Sequence, residues 1–242
     1  MTTPHDLSVA SYNIHKGFGT DRRRDLARTV AVIAEIGADI LALQEADTRF
    51  GTRTGLLDLD HIRSDLGLIA VPLDDAGGAH GWHGNLLMVR NAMVEEVHQL
   101  VLPGIEPRGA LVTDLKIAGQ PLRIVNAHLG LLPGSRAAQA RALIDKISQL
   151  DGRPTLLVGD LNEWRGSGAP LQTLGQYFQI AEARPSFPSR YPLLALDRMM
   201  LSPHGELLDV AAHDSPLSRR ASDHLPIKAR LRLDGTLPAM LT

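Results

Sequence analysis

Short apolar runs alternate with polar stretches along this chain, and several of the runs end in polar residues. Leu7 to Ile14 alternates as a strand does; Asn13-Ile14-His15-Lys16-Gly17 closes it, and Gly17 and Gly19 mark a loop. From Asp21 the period lengthens to that of a helix. Leu26, Val30 and Ile33 share one face, and Gly37 stands where a helix would stop. This reading puts Arg22, Arg23 and Arg24 in the first turn, where the helix dipole disfavours cations. A solvated face is the simpler account of them, and a phosphate-facing patch is the other. Ile40-Leu41-Ala42-Leu43 is a second strand, ended by Gln44-Glu45. Strand, helix, strand opens an α/β arrangement.

Asp47 to Gly55 is a polar loop, and Leu56 to Leu66 suits a short helix. Asp74 to Gly84, rich in glycine and histidine, reads as a mobile loop beside a site. Leu86 to Val89, Met93 to Val101 and Ala110 to Ile117 are strands with short connections, hence antiparallel, with Arg108-Gly109 in the turn before the last. Leu122, Ile124, Asn126 and His128 share one side of the next strand, and that side turns polar at its C-terminal end. Pro133-Gly134-Ser135 opens a helix with Leu143, Ile147 and Leu150 on its buried stripe. Next comes Leu156-Leu157-Val158-Gly159-Asp160-Leu161-Asn162. Asp160 and Asn162 are two positions apart, so extended backbone projects them to the same side. Leu171 to Phe178 is a further helix. Pro185, Pro188 and Pro192 make the following segment irregular, and Leu194 to Leu201 is a strand interrupted by Asp197-Arg198. Ser222-Asp223-His224 leads into a closing strand, Leu225 to Leu233, and Asp234 to Thr242 reads as a tail. The two halves share an order, strand with polar end, helix, strand with polar end, which hints at an internal repeat with a site between the halves.

Composition narrows the function. The chain has 242 residues and 44% hydrophobic content, enough for one large core, and the expectation is one domain over residues 1–242. Its formal net charge of -2 lacks the basic excess of a tight nucleic-acid binder. The chain has no cysteine, which excludes disulfides and thiolate metal sites and suits a reducing compartment. Met1 to Asp6 has no signal-peptide character, and no apolar run is long enough to span a bilayer. A cytoplasmic protein, monomeric by preference, is the expectation.

Polar residues therefore stand at many apolar strand ends: Asn13, Glu45, Asn126 with His128, Asp160 with Asn162, Asp197, and Asp223 with His224. Each has an ordinary explanation taken alone. Asn13 can form a turn, Glu45 can be a surface carboxylate, and Asp197 can pair with Arg198. One convergent site accounts for all of them together. Oxygen donors without sulfur favour Mg²⁺ or Mn²⁺, and such an ion neutralises charge on a reacting phosphate. A histidine held by an aspartate donates to a phosphoryl oxygen or moves a proton. Candidate cations near the strand ends are few: Lys16, Arg49, Arg53, Arg108, Arg136 and Arg165. They predict a compact footprint, such as short or single-stranded nucleic acid or a small phosphate ester.

At this point the chain resembles the endonuclease/exonuclease/phosphatase superfamily, which includes DNase I-like nucleases, abasic-site endonucleases, inositol-polyphosphate phosphatases and sphingomyelinases. The resemblance spans about residues 7 to 233. It rests on Tyr12-Asn13-Ile14-His15, Leu43-Gln44-Glu45, Gly84-Asn85, Arg108-Gly109-Ala110, Asn126-Ala127-His128-Leu129, Gly159-Asp160-Leu161-Asn162, Leu196-Asp197-Arg198 and Ser222-Asp223-His224-Leu225-Pro226, in order and at the approximate spacing. The resemblance implies a four-layer αββα sandwich of two mixed, mostly antiparallel sheets. It also implies Glu45 as the main metal ligand with Asn13 and Asp223 nearby, and Asp160 positioning the nucleophilic water or a second ion. Asn162 would steady the phosphate or that water, His128 would contact the phosphate, and His224 would act with Asp197. Asn85, Arg108 and Asn126 would fall on the substrate side. Tyr-Asn-Ile-His-Lys-Gly-Phe looks most like a bacterial branch. The chain lacks the long basic or wedge-like insertions of abasic-site nucleases and the aromatic-Cys-Asp-Arg motif of the inositol phosphatases, since Ala195-Leu196 precede Asp197. The function expected is a metal-dependent phosphoesterase, a nuclease-type phosphodiesterase before a phosphatase or lipid-headgroup phosphodiesterase, with a non-catalytic binding module as the rival from another class.

Overall fold

Side chains that alternate between the two faces of apolar strands build two sheets that share one apolar interface and are covered on their other faces. The computed structural model describes residues 6–48, 53–74 and 77–233; Arg49 and the expected tail lie outside the described residues. In chain order the elements are β1 (Leu7–Asn13), α1 (Leu26–Ile36), β2 (Ile40–Gln44), α2 (Leu59–Leu66), β3 (Ile69–Ala70), β4 (Leu86–Val89), β5 (Ala92–Leu102), β6 (Arg108–Ile117), β7 (Gln120–His128), α3 (Pro133–Ile147), β8 (Thr155–Asp160), α4 (Ala169–Leu174), β9 (Gln179–Ile180), β10 (Asp197–Leu201), β11 (Gly205–Ala212), α5 (Ser218–Ala221) and β12 (Ile227–Leu233). One six-stranded sheet has the order β11-β12-β1-β2-β4-β3, and the other β5-β6-β7-β8-β10-β9.

Odd and even positions go to different layers, as a period of two requires. Val9, Ile40, Ala42 and Leu87 of the first sheet meet Leu111, Ile124, Leu156, Val158 and Met199 of the second. Their neighbours Ala10, Tyr12, Leu41 and Leu43 face outward under Val32 and Ile33 of α1 and Ile62 of α2. Val125, Ala127 and Leu157 face outward under Ala140 and Leu143 of α3 and Leu171 of α4. The result is the expected four-layer α/β sandwich.

Strand direction then fixes where the polar ends go. β1 and β2 are parallel, flanked by antiparallel β12 and β4. β7 and β8 are parallel, flanked by antiparallel β6 and β10. The hinted repeat is thus visible as the same four-strand pattern in each sheet. The C-terminal ends of β1, β2, β7 and β8 and the N-terminal ends of β4, β6, β10 and β12 lie at one end of the sandwich.

Several sequence expectations are corrected. α1 begins at Leu26, after an Asp25 cap whose side chain accepts from the Arg28 amide, so Arg22, Arg23 and Arg24 lie in the loop before the helix. The buried stripe of α3 is Arg136, Gln139, Ala140, Leu143 and Ile144, so Leu143 keeps its expected place while Ile147, and Leu150 beyond the helix end, are only partly buried. β10 starts at Asp197 and is uninterrupted. The eight-residue β11 had no period-two signal, because one register irregularity falls between Leu208 and Ala211. Among the described residues, no helix is long and apolar enough to cross a membrane.

Candidate active site

Asp160 is the point where the two sheets meet in polar contact. β8 reaches it through Gly159, whose φ of +142° brings the backbone so close to β7 that a Cβ would stand 1.9 Å from the Ala127 carbonyl oxygen. Only glycine tolerates both demands. The Asp160 carboxylate is 1% exposed. Its Oδ2 accepts from Asn13 Nδ2 of the other sheet at 2.9 Å and lies 3.4 Å from His128 Nε2 and 3.7 Å from His224 Nε2. Its Oδ1 accepts the Asn162 amide at 3.0 Å. Asn162 reaches the cleft by a turn rather than by strand alternation: its φ is 51°, and its Nδ2 donates to the Leu129 carbonyl at 2.9 Å.

The two buried histidines are held in opposite states. Arg108 NH1 donates to His128 Nδ1 at 3.0 Å, so that nitrogen accepts and Nε2 carries the proton that faces Asp160. Burial, with Arg108 adding to it against the pull of Asp160, lowers the His128 pKa to about 3, so the ring is neutral. His224 Nδ1 lies 2.8 Å from Asp197 Oδ2. Burial disfavours its charge too, but Asp197 and then Asp160 outweigh that, and its pKa rises to about 10. Asp197 Oδ2 also accepts Ser186 Oγ at 2.5 Å. Arg198 points to the opposite face and donates to the Glu163 carbonyl at 3.2 Å, so alternation along β10 separates it from the Asp197 carboxylate.

Glu45 and Asp223 stand at the mouth. Glu45 has a left-handed φ of 56°, as have His15 and Lys16 at 45° and 55°, and such backbone strain gathers at functional sites. Lys16 Nζ is ion-paired with Glu45 Oε2. Burial would raise the Glu45 pKa, but the Lys16 ammonium holds it below the usual carboxylate value. Asp223 Oδ1 faces His15 Nδ1 at 3.4 Å. Asn13, Glu45, Arg108, His128, Asp160, Asn162, Asp223 and His224 all line one cleft of about 480 Å³. Its donors are oxygen and nitrogen only, and Glu45 is held ionised beside the Lys16 ammonium. Both features fit a hard divalent ion held by Glu45, Asp223 and Asn13. The donor atoms of Asp160, Asp197 and His224 also cluster within 4.8 Å of one another.

Asn126 and Asn85 sit behind this cleft, both 0% exposed. Asn126 Nδ2 donates to the Leu43 and Leu86 carbonyls at 3.0 Å each, and its Oδ1 accepts Gln44 Nε2 at 2.8 Å. Its amide thereby sews the two sheets together. Asn85 Nδ2 donates to the Trp82 and Gly109 carbonyls at 3.0 and 2.9 Å. Sequence reasoning missed Ser186, which sits in the proline-rich segment with no periodic signal. It also passed over Asp47, two residues after Glu45, which pairs with Arg53 at 3.3 Å. Trp164 and Phe187, which line the cleft, were missed too.

Known proteins place this arrangement. The model of the endonuclease/exonuclease/phosphatase family matches residues 10–224. The Escherichia coli K12 protein YbhP is 30% identical over 253 residues, covering 96% of this chain and 99% of that one. The endonuclease/exonuclease/phosphatase family protein of Bacteroides thetaiotaomicron superposes with a TM-score of 0.75 at 20% identity, over 96% of this chain and 100% of that one. The D. rerio TDP2 complex with single-strand DNA product superposes with a TM-score of 0.71 at 18% identity, over 94% and 99%.

Proposed function

We propose, because the chain belongs to the endonuclease/exonuclease/phosphatase family, that this phosphoesterase depends on Mg²⁺ or Mn²⁺ and is a phosphodiesterase acting on a short or single-stranded nucleic acid or a small phosphate ester. The observation that carries the reading is Asp160, shared by Asn13, His128 and His224 from both sheets. Glu45, Asp223 and Asn13 would hold the ion, which supplies positive charge against a phosphate oxygen.

The chain's own groups account for the rest. Asp160 keeps lone pairs toward the cleft and orients a water for in-line attack on phosphorus, with Asn162 beside it. His128 offers an Nε2–H donor without a charge. His224, protonated at neutral pH, is a poor base. It instead presents a charged donor to the phosphoryl oxygens as negative charge develops on them. Asp197, fixed by Ser186, holds that imidazolium in place. Leu131, Leu194 and Leu196 give the cleft an apolar wall.

A screen of DNA, RNA, phospholipids and small phosphate esters with added Mg²⁺ or Mn²⁺ tests the reading. Asp160→Asn should lower turnover at least about a hundredfold on whichever ester is cleaved. In calorimetry Glu45→Gln should bind Mg²⁺ more weakly than the parent chain. Equal ion affinity in the two proteins would remove Glu45 from the metal site.

A further inference from the structure

Exposed apolar residues scattered singly are ordinary on a soluble surface, whereas a concentration of them marks an interaction site. Here they concentrate around the cleft. Ile105 is 83% exposed, Leu131 61%, Leu132 46%, Trp164 52%, Tyr191 75% and Leu193 76%. All six stand on loops at the site end of the sandwich: between β5 and β6, after β7, after β8, and before β10. The loops brace one another. The Leu131 amide donates to Glu106 Oε1 at 2.7 Å, and Arg190 donates to the Thr20 carbonyl at 3.1 Å. Leu131 and Trp164 line the cleft itself, so the apolar rim is continuous with it.

Charge supplies the second half of the argument. Arg22, Arg23, Arg24, Arg165 and Arg190 are exposed on loops at the same end, and none is ion-paired with a described carboxylate. The chain as a whole carries a net charge of -2, and carboxylates such as Asp21 and Asp25 share these loops, so it is the five arginines without an ion pair that supply cationic contacts at this end. The Arg165 guanidinium lies 5.0 Å from the Trp164 ring, which joins a cation to the apolar rim.

We propose that this rim docks on the surface of an anionic phospholipid bilayer. With Phe18 on the β1–α1 loop included, four aliphatic residues stand beside three aromatic ones, and the aliphatic side chains give no platform for stacked bases, which single-strand binding needs. They stand on separate loops around the cleft, which suits a laterally unstructured partner. Leucine, isoleucine and tryptophan enter the acyl boundary while the arginines meet lipid phosphates. Docked in this way, the cleft mouth lies in the plane of the headgroup phosphates. The docking needs no bond cleavage, and only its use for lipid hydrolysis rests on the phosphoesterase reading.

The test is co-sedimentation of the full chain, in EDTA, with vesicles of phosphatidylcholine alone or of phosphatidylcholine and phosphatidylglycerol in equal amounts. The chain should pellet with the mixed vesicles, stay in solution with the neutral ones, and lose binding as salt rises. Ile105→Ser combined with Leu132→Ser and Leu193→Ser should weaken partition at least about tenfold. So should Arg22→Ser with Arg23→Ser and Arg24→Ser, which leaves the apolar rim and the core intact. Ile69→Ser with Met93→Ser alters exposed apolar residues at the other end of their sheets and should change nothing. Failure of the parent chain to pellet with mixed vesicles would overturn the proposal. An equal loss in the Ile69 and Met93 variant would do the same. So would rim variants that lose single-stranded oligonucleotide binding while still pelleting with vesicles.

Discussion

His128 and His224 lie on either side of one carboxylate, yet their neighbours drive them to opposite protonation states. That opposition has a signature in the stability of the metal-free protein. Between about pH 3 and 6.5 the unfolded chain binds a proton at His128 that the folded protein refuses, so stability falls as the pH drops through that range. Between about pH 6.5 and 10 the folded protein keeps the His224 proton that the unfolded chain has released, so stability falls as the pH rises. The two contributions together favour a maximum near pH 6.5 in EDTA. Urea unfolding across pH should show that His128→Gln flattens the acid limb and His224→Gln the alkaline one. An alkaline limb unchanged in His224→Gln would remove the imidazolium from the site. The same neighbour logic made Asp197 ambiguous from sequence. Beside Arg198 in the chain, it finds His224 in space, because alternation sends the arginine to the other face of β10.

At the scale of elements, the β7–β8 pair carries the site, and Gly159 is what allows it. Any Cβ at that position meets the Ala127 carbonyl and must also adopt a φ that side chains avoid. Gly159→Ala should therefore destabilise the fold by about 3 kcal/mol or more, the scale of a strained backbone added to a lost ladder contact. Denaturant midpoints measure this. A change below about 1 kcal/mol would mean that β7 and β8 separate freely and do not hold Asp160 in place. The strands that carry the site were legible as short apolar runs with polar ends. Those missed, β3, β9 and β11, are two residues long or irregular, and none of them lines the cleft. The start of α1 was misplaced because Asp21 and Asp25 are both plausible caps, and only the structure shows Asp25 accepting the Arg28 amide.

At the scale of the whole molecule, the expected compact footprint is narrower than the count of strand-end cations suggests. Lys16 is paired with Glu45, Arg53 with Asp47, Arg108 with Glu106 and Arg136 with Glu163. Arg165, with Arg22, Arg23, Arg24 and Arg190, belongs to a rim with apolar residues rather than to a track. Binding of Asp160→Asn to duplex DNA at fixed Mg²⁺ should be weak, with a log-log salt slope shallower than about -5. A steeper slope with tight binding would show many neutralised phosphates and sink the compact footprint.

Local pattern alone determined the strands of the two parallel pairs, their polar ends and the helices that separate them, because apolar runs, helical periodicity and turn residues act within a few residues. It also singled out most residues of the cleft, since each follows an apolar run on the same face. Only the tertiary structure decided that Asn13 donates to Asp160, 147 residues away, and that Asn126 binds carbonyls of the opposite sheet. It also decided that Ser186 holds Asp197, and that the exposed side chains of separate loops share one rim. These depend on which strands become neighbours and how two sheets stack. That choice is made by long-range pairing and packing over the whole core, and no local stretch of the chain encodes it.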